Sequence, residues 1–164
     1  MNINKLVTLA LFTAMSLALF VVELQLPTII PAVPGVKLGL ANIVTLFILH
    51  RKDFTAVDAL LVVVARVCLA GFLTGNLFSL LYSFSGWIAA LLVMIAFRKL
   101  FKSKLIPVTA VAGALAHNTM QICVAVFIAG AGMLLYLPVL VLSGILSGLL
   151  TGFATNLIIR NVKI

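Results

Sequence analysis

Arg66 is the residue whose chemistry fits its surroundings least. It lies within a long apolar run, where a guanidinium keeps both its charge and its N–H donors. Helix geometry puts it about 18 Å along that run and about 13 Å from the far end, too deep for the side chain to reach bulk water comfortably. Two interpretations stay open: Arg66 binds a ligand or pairs inside the protein, or it extends toward the outer lipid headgroups.

A polar stripe between residues 109 and 121 is the second place where chemistry is expected. Thr109, Gly113, His117, Asn118 and Gln121 follow one another at offsets that put them on one face of a helix. In an apolar bundle, such a face either forms hydrogen bonds between helices or lines a polar cavity. His117, Asn118 and Gln121 are therefore candidate substrate-binding residues.

The stretch 31–42, PAVPGVKLGLAN, interrupts the apolar pattern. Proline removes backbone donors and glycine allows positive φ, so a regular helix is not expected through it. We expect a loop or half-buried turn that shapes a pocket, followed by a helix that begins near Lys37; an ordinary external connection is the alternative. The further substrate-binding candidates are Lys37, Asn42, Asn76 and Tyr82, with Tyr82 as the side chain for stacking.

The three acidic residues have mainly structural interpretations. Glu23 could pair with Lys37 across the first loop or contact a ligand. Asp53 and Asp58 lie where a helix is predicted to begin, a position that favours negative charge, and Asp53 is the expected cap. Asp58 and Arg66 are two turns apart, so no direct pair between them is expected.

Composition indicates that these residues lie in a membrane protein. Hydrophobic residues make up 65% of the 164 and charged residues 9%, with a mean hydropathy of +1.36, whereas about a quarter of the residues in soluble domains are charged. The sequence predicts an all-α integral membrane protein, a bundle of six transmembrane helices in a single domain over residues 1–164. The predicted segments are 3–26, 36–50, 54–75, 76–98, 107–130 and 137–160. Segment 36–50 is too short to span alone, so either the stretch 31–42 enters the membrane or neighbouring helices cover it.

The basic residues predict the orientation. Connections 27–36, 75–76 and 130–136 contain no Lys or Arg, whereas the other ends of the segments carry nearly all of them. The positive-inside rule then puts both termini in the cytoplasm of a multi-pass protein of the bacterial cytoplasmic membrane. The net charge of +8 is interpreted as a topology signal aided by anionic lipid, not as a nucleic-acid site. The basic residues on the cytoplasmic side are Lys5, Arg51, Lys52, Arg98, Lys99, Lys102, Lys104, Arg160 and Lys163.

Several function classes are disfavoured by what the sequence lacks. Cys68 and Cys123 are far apart and belong to no metal or disulfide motif. Three acidic residues provide no aspartate-rich site for Mg²⁺ and diphosphate, and no glycine-rich loop with Lys and Ser/Thr is present for ATP. We therefore expect no enzyme, no cofactor and no metal. A self-sufficient secondary transporter stays as an alternative, although no inverted repeat is apparent.

Small residues at four-residue spacing mark two surfaces for close helix contact. The alanine face consists of Ala10, Ala14 and Ala18, and the glycine stripe consists of Gly144, Gly148 and Gly152. The glycine stripe is expected to pack inside the bundle. The alanine face could equally receive another protein.

The run PGVKLGLAN at residues 34–42 resembles the Gx transporter family, which is labelled heptaprenyl diphosphate synthase component I. The six segments, the first loop and the alanine face are also similar to the substrate-binding S components of energy-coupling factor (ECF) transporters. This resemblance implies a protein that captures a vitamin-like micronutrient outside and delivers it by toppling in the membrane. It also implies that Ala10, Ala14 and Ala18 dock on the transmembrane T component, which two cytoplasmic ATPases drive.

The ligand itself is constrained only by charge. Arg66 and Lys37 against Glu23 favour an anionic or zwitterionic ligand with a flat apolar part. A membrane component linked to prenyl diphosphate or quinone metabolism is a further alternative, because prenyl and quinone-precursor compounds fit that description.

The basic pattern generates a topology prediction: Ser103 and residues beyond Lys163 face the cytoplasm, and Gly132 faces the exterior. In a background without Cys68 and Cys123, a membrane-impermeant thiol reagent applied to intact cells should label Gly132→Cys and spare Ser103→Cys. The opposite labelling would reverse the orientation and, with it, the side on which the site is expected.

Overall fold

The computed structural model describes residues 2–26, 38–75, 77–101 and 105–162, without the side chains of residues 77–81. These parts form α-helices and one 3₁₀ helix, and no strand occurs among them. Five helical stretches are long and apolar enough to cross a membrane, which confirms the all-α, multi-pass class. The helices are α1 (Ile3–Gln25), α2 (Asn42–His50), α3 (Ala56–Thr74), α4 (Leu77–Leu100), α5 (Ile106–Ala129) and α6 (Leu137–Asn161), with the 3₁₀ helix (Ala131–Tyr136) before α6.

α2 differs from the predicted segment 36–50. It begins at Asn42 and has nine residues, which corresponds to about 14 Å of helix. A helix start near Lys37 is therefore wrong: Gly39 has a φ of 71°, a left-handed conformation that ends or precedes a right-handed helix but does not continue one. Lys37 itself, with residues 27–36, lies outside the described ranges.

The neighbouring helices cover α2, as one of the two alternatives for a short segment requires. Leu46, Ile48 and Leu49 are completely buried. They belong to a core that also contains residues of α1, α3, α4 and α5, and α2 additionally contacts α6. α2 is therefore a buried central helix of the bundle and not a lipid-facing span.

The start of α3 corrects the expectation for Asp53. Thr55 is the N-cap, and Asp58 completes a capping box by accepting the Thr55 N–H at 2.6 Å. Asp53 instead accepts a hydrogen bond from Arg51 at 2.7 Å on the surface. The extended backbone of Thr55 makes it the N-cap, two residues after Asp53, so the first turn of the helix is out of reach of a capping contact from Asp53. Asp58 also pairs with Lys5 at 2.8 Å, which joins the first turns of α1 and α3 at one end of the bundle.

The glycine stripe packs inside the bundle, as the sequence predicted. A Cβ at Gly148 would lie 2.6 Å from the Cα of Val111, and one at Gly152 would lie 2.6 Å from the Cα of Pro107. No side chain separates the backbones of α5 and α6 at these points, which is the close approach that small residues permit.

A methyl group at Gly148 should therefore destabilise the protein. We expect Gly148→Ala to lower the free energy of unfolding by about 1–3 kcal/mol, because Val111 backbone atoms cannot yield to the added carbon. Gly132→Ala is the control, since nothing lies within 4 Å of the position its Cβ would take. Chemical unfolding in detergent measures both, and equal stability of the two variants would contradict the tight α5–α6 contact.

Candidate functional site

A polar cavity lies between the helices at the end of the bundle away from the Lys5–Asp58 pair. Its volume is about 840 Å³, counting the part that is open to solvent. α1 and α3 contribute residues from their second halves, α2 and α4 from their first halves, and α5 and α6 from their middles, so the walls lie between the middle and one end of the bundle. The side chains that matter for chemistry are Phe20, Glu23, Asn42, Arg66, Trp87, His117, Asn118 and Gln121.

Arg66 is the charged wall contributed by α3. Its residue surface is 9% exposed, and it lies ten residues after Ala56 and eight before Thr74, about 15 and 12 Å from the two ends of the helix. Its Nε is buried without a hydrogen-bond partner. Among the described residues none accepts a hydrogen bond from the guanidinium. Because a guanidinium needs acceptors for its donors, this side chain can bind an anionic group in the cavity.

Glu23 is the charged wall contributed by α1, and it is 8% exposed. Its Oε1 accepts the backbone N–H of Gly39, so it holds the turn that precedes α2. It also interacts electrostatically with Arg66, although the two side chains form no ion pair within 4.0 Å. The predicted partner Lys37 lies outside the described part of the chain.

The wall contributed by α5 rests directly on α4 because Gly86 has no side chain. A Cβ at Gly86 would lie 2.8 Å from Cγ of Gln121 and 2.9 Å from Cε1 of His117. Gln121 is 4% exposed, and its Oε1 has no hydrogen-bond partner. The neighbouring indole N–H of Trp87 is likewise buried without a partner. The buried Gln121 Oε1 and Trp87 N–H are therefore neutral polar groups on wall residues, beside the charged Arg66 and Glu23.

The polar stripe of α5 divides into a cavity part and a packing part. His117, Asn118 and Gln121 line the cavity. Thr109 is buried nearer the start of the helix, where its hydroxyl donates to the Leu105 carbonyl at 3.2 Å. Asn118 serves both purposes, because its Nδ2 donates to the Leu140 carbonyl on α6 at 2.7 Å while the residue also lines the cavity.

The structure brings together most, but not all, of the predicted substrate-binding residues. Tyr82 is half-buried and is not part of the cavity wall. Lys37 and Asn76 lie outside the described residues. The five that meet at the cavity are Asn42, Arg66, His117, Asn118 and Gln121.

Sequence reasoning missed the roles of Trp87 and Phe20 as aromatic walls. Trp87 was not among the predicted site residues. It follows Ser83 by four residues, and both line the cavity, so that spacing was a usable signal. Phe20 carries no such signal, because it is one of many apolar residues in its segment.

The alanine face points away from the cavity. Ala10, Ala14 and Ala18 are all exposed, whereas Ser16 and Glu23 on the other side of α1 are buried. The hydroxyl of Ser16 donates to the Ala41 carbonyl at 3.2 Å, so the buried face of α1 holds the turn before α2.

Replacing Arg66 by methionine separates a ligand-binding role from a structural one. Because the guanidinium donates to none of the described residues, Arg66→Met should leave the ligand-free protein folded, since the burial cost of one charge disappears together with its electrostatic interaction with Glu23. It should weaken ligand binding by about 1.5–3 kcal/mol, or roughly ten- to a hundredfold. Thermal unfolding and calorimetric titration measure these effects, and Arg66→Lys shows how much depends on the guanidinium fork. A lowered melting temperature with unchanged affinity would assign Arg66 to structure.

No curated protein and no solved structure matches the chain. A family model described as heptaprenyl diphosphate synthase component I matches residues 12–158. That range runs from the first half of α1 into the last turns of α6, and it contains every residue of the cavity wall. The chain therefore belongs to the family heptaprenyl diphosphate synthase component I, a family of Gx-type membrane proteins, as the run PGVKLGLAN predicted.

Proposed function

We propose that this protein is the substrate-binding membrane subunit, or S component, of an ECF-type transporter that takes up a vitamin-like micronutrient. The observation that carries the proposal is the cavity around Arg66, a buried cation whose Nε has no hydrogen-bond partner among the described residues. Burying an unpaired charge inside a membrane bundle is costly, so such a residue marks a functional site by default. A cavity open at one end suits a protein that captures a small molecule from that side.

The proposal uses the predicted orientation. The cavity lies at the end of the bundle away from Lys5, Arg51 and Arg98, and the positive-inside rule assigns that end to the exterior of the cytoplasmic membrane. A ligand would then enter from outside and meet Arg66 below the outer interface. The chain has no phosphate-binding loop for ATP, so energy for transport would come from partner proteins.

The alanine face is the proposed contact with those partners. Ala10, Ala14 and Ala18 are exposed on one side of α1, and small side chains let the backbone of a second helix approach closely. In the proposal this face docks on the T component, which two ATPases drive. One face of α1 would then contact the T component, and the opposite face, which carries Glu23, would line the cavity.

The family description favours a second candidate, a membrane component of prenyl diphosphate or quinone metabolism. The chain contains three acidic residues in all, too few for the carboxylate and Mg²⁺ site that prenyl transfer requires. In this role it would bind a prenyl or quinone-type compound, and a partner would do the chemistry. Mass spectrometry of the compound that co-purifies in mild detergent distinguishes the two candidates: a water-soluble micronutrient supports uptake, and a prenylated compound supports the second role.

A bulky residue on the alanine face should break the transporter complex. We expect Ala14→Trp to abolish recovery of a T component and ATPases in a pull-down, because the indole prevents close helix approach, while ligand binding by the isolated subunit is retained. Leu142→Trp is the control, since Leu142 is exposed on α6, away from this face. If Ala14→Trp still recovers the partners at the wild-type level, the docking assignment is wrong. If the wild type recovers none, a self-sufficient transporter is favoured.

A further inference from the structure

We infer that the cavity binds a zwitterion, whose anionic end lies on Arg66 and whose cationic end lies on Glu23. The inference rests on the proposed function of this cavity as the substrate site, and it specifies the class of substrate. It follows from three features of the two side chains: their balance of charge, their separation and their unused hydrogen-bonding groups.

The described residues of the cavity wall include one basic and one acidic side chain, Arg66 and Glu23. Both are more than nine-tenths buried. A ligand with a net charge would leave one buried charge without compensation, whereas a zwitterion adds none. Balance alone would also suit a neutral ligand, so the separation of the two groups is the deciding observation.

Arg66 and Glu23 face one cavity without neutralising each other by contact. They interact electrostatically, but no guanidinium nitrogen of Arg66 lies within 4.0 Å of a carboxylate oxygen of Glu23. The Lys5–Asp58 pair, which has a structural role, is in direct contact at 2.8 Å. Two opposite charges that share a cavity with space between them form a dipole, and a ligand with the reverse dipole fits that space.

Both charged groups keep hydrogen-bonding capacity for a ligand. The guanidinium of Arg66 donates to no described residue, and its Nε is buried. The carboxylate of Glu23 uses Oε1 for the Gly39 N–H, while Oε2 accepts nothing from the described residues. A carboxylate or phosphate can therefore bind Arg66, and an ammonium group can donate to Glu23.

The neutral groups of the wall extend the same pattern. Among the described residues, the indole N–H of Trp87 and Oε1 of Gln121 belong to wall residues and are buried without hydrogen-bond partners. The Trp87 ring itself provides a flat apolar wall. The ligand class is thus a small zwitterion with a planar apolar part.

Three probes that share an aromatic skeleton test the charge pattern: L-phenylalanine, with both charges; 3-phenylpropionate, with the anion alone; and 2-phenylethylammonium, with the cation alone. Trp87 is the single tryptophan of the chain, so its fluorescence follows thermal unfolding of the full protein in lipid nanodiscs. The concentration dependence of the melting temperature gives apparent affinities. We expect phenylalanine to stabilise the wild type at concentrations up to about 10 mM, and each singly charged probe to bind about tenfold or more weakly.

Two variants make the test reciprocal. Glu23→Gln keeps an oxygen for the Gly39 N–H and removes the negative charge, so selectivity should move to 3-phenylpropionate. Arg66→Met removes the positive charge, so selectivity should move to 2-phenylethylammonium. The ratio of affinities among probes within one variant is insensitive to any general loss of stability in that variant.

The zwitterion inference fails if phenylalanine gives no stabilisation of the wild type, if a singly charged probe binds as well as phenylalanine, or if the two variants show the wild-type order. It also fails if the co-purified compound carries charge of one sign alone. That last result would leave the S-component proposal standing when the T component and ATPases are recovered with the protein. Recovery of a zwitterion without a T component or ATPases would support the zwitterion inference and contradict the S-component proposal.

Discussion

A helix of nine residues reaches about 14 Å, less than half of a hydrocarbon core of about 30 Å, so α2 depends on the helices around it. Its enclosure by α1, α3, α4 and α5 forms the main core. Gly39, Ala41 and Asn42, at and just before the start of α2, line the cavity. One short helix therefore contributes both to the packing at the centre and to the cavity wall at one end.

The two ends of the bundle use buried charge in different ways. At one end Lys5 and Asp58 are in contact, and Asp58 also caps α3, so its Oδ2 is occupied by the protein. At the other end Arg66 and Glu23 line one cavity without forming an ion pair, and Nε of Arg66 has no acceptor among the described residues. Low-dielectric surroundings make each arrangement energetically significant. Two charges in contact fix the relative positions of their helices, whereas two separated charges keep hydrogen-bonding capacity for a ligand.

Long hydrophobic runs made the class and most helix positions predictable, because spanning length leaves few alternatives. The helical spacing of His117, Asn118 and Gln121 likewise predicted a shared wall. The start of α2 and the capping residue of α3 were not predictable in this way, since they depend on the backbone conformations of Gly39 and Thr55. The Gly39 contact of Glu23 depends on which elements become neighbours. Periodicity along one helix carries no information about that.

The glycine contacts between α5 and α6 make these two helices the pair whose backbones approach most closely at the glycines of the described chain. At Gly148 and Gly152 the backbones meet with no side chain between them, and α5 packs extensively against both α4 and α6. The turn before α2, by contrast, is held to α1 by the contacts of Ser16 and Glu23. We therefore expect faster amide hydrogen exchange at residues 38–41 than in the middle of α5 and α6, where close packing opposes local opening.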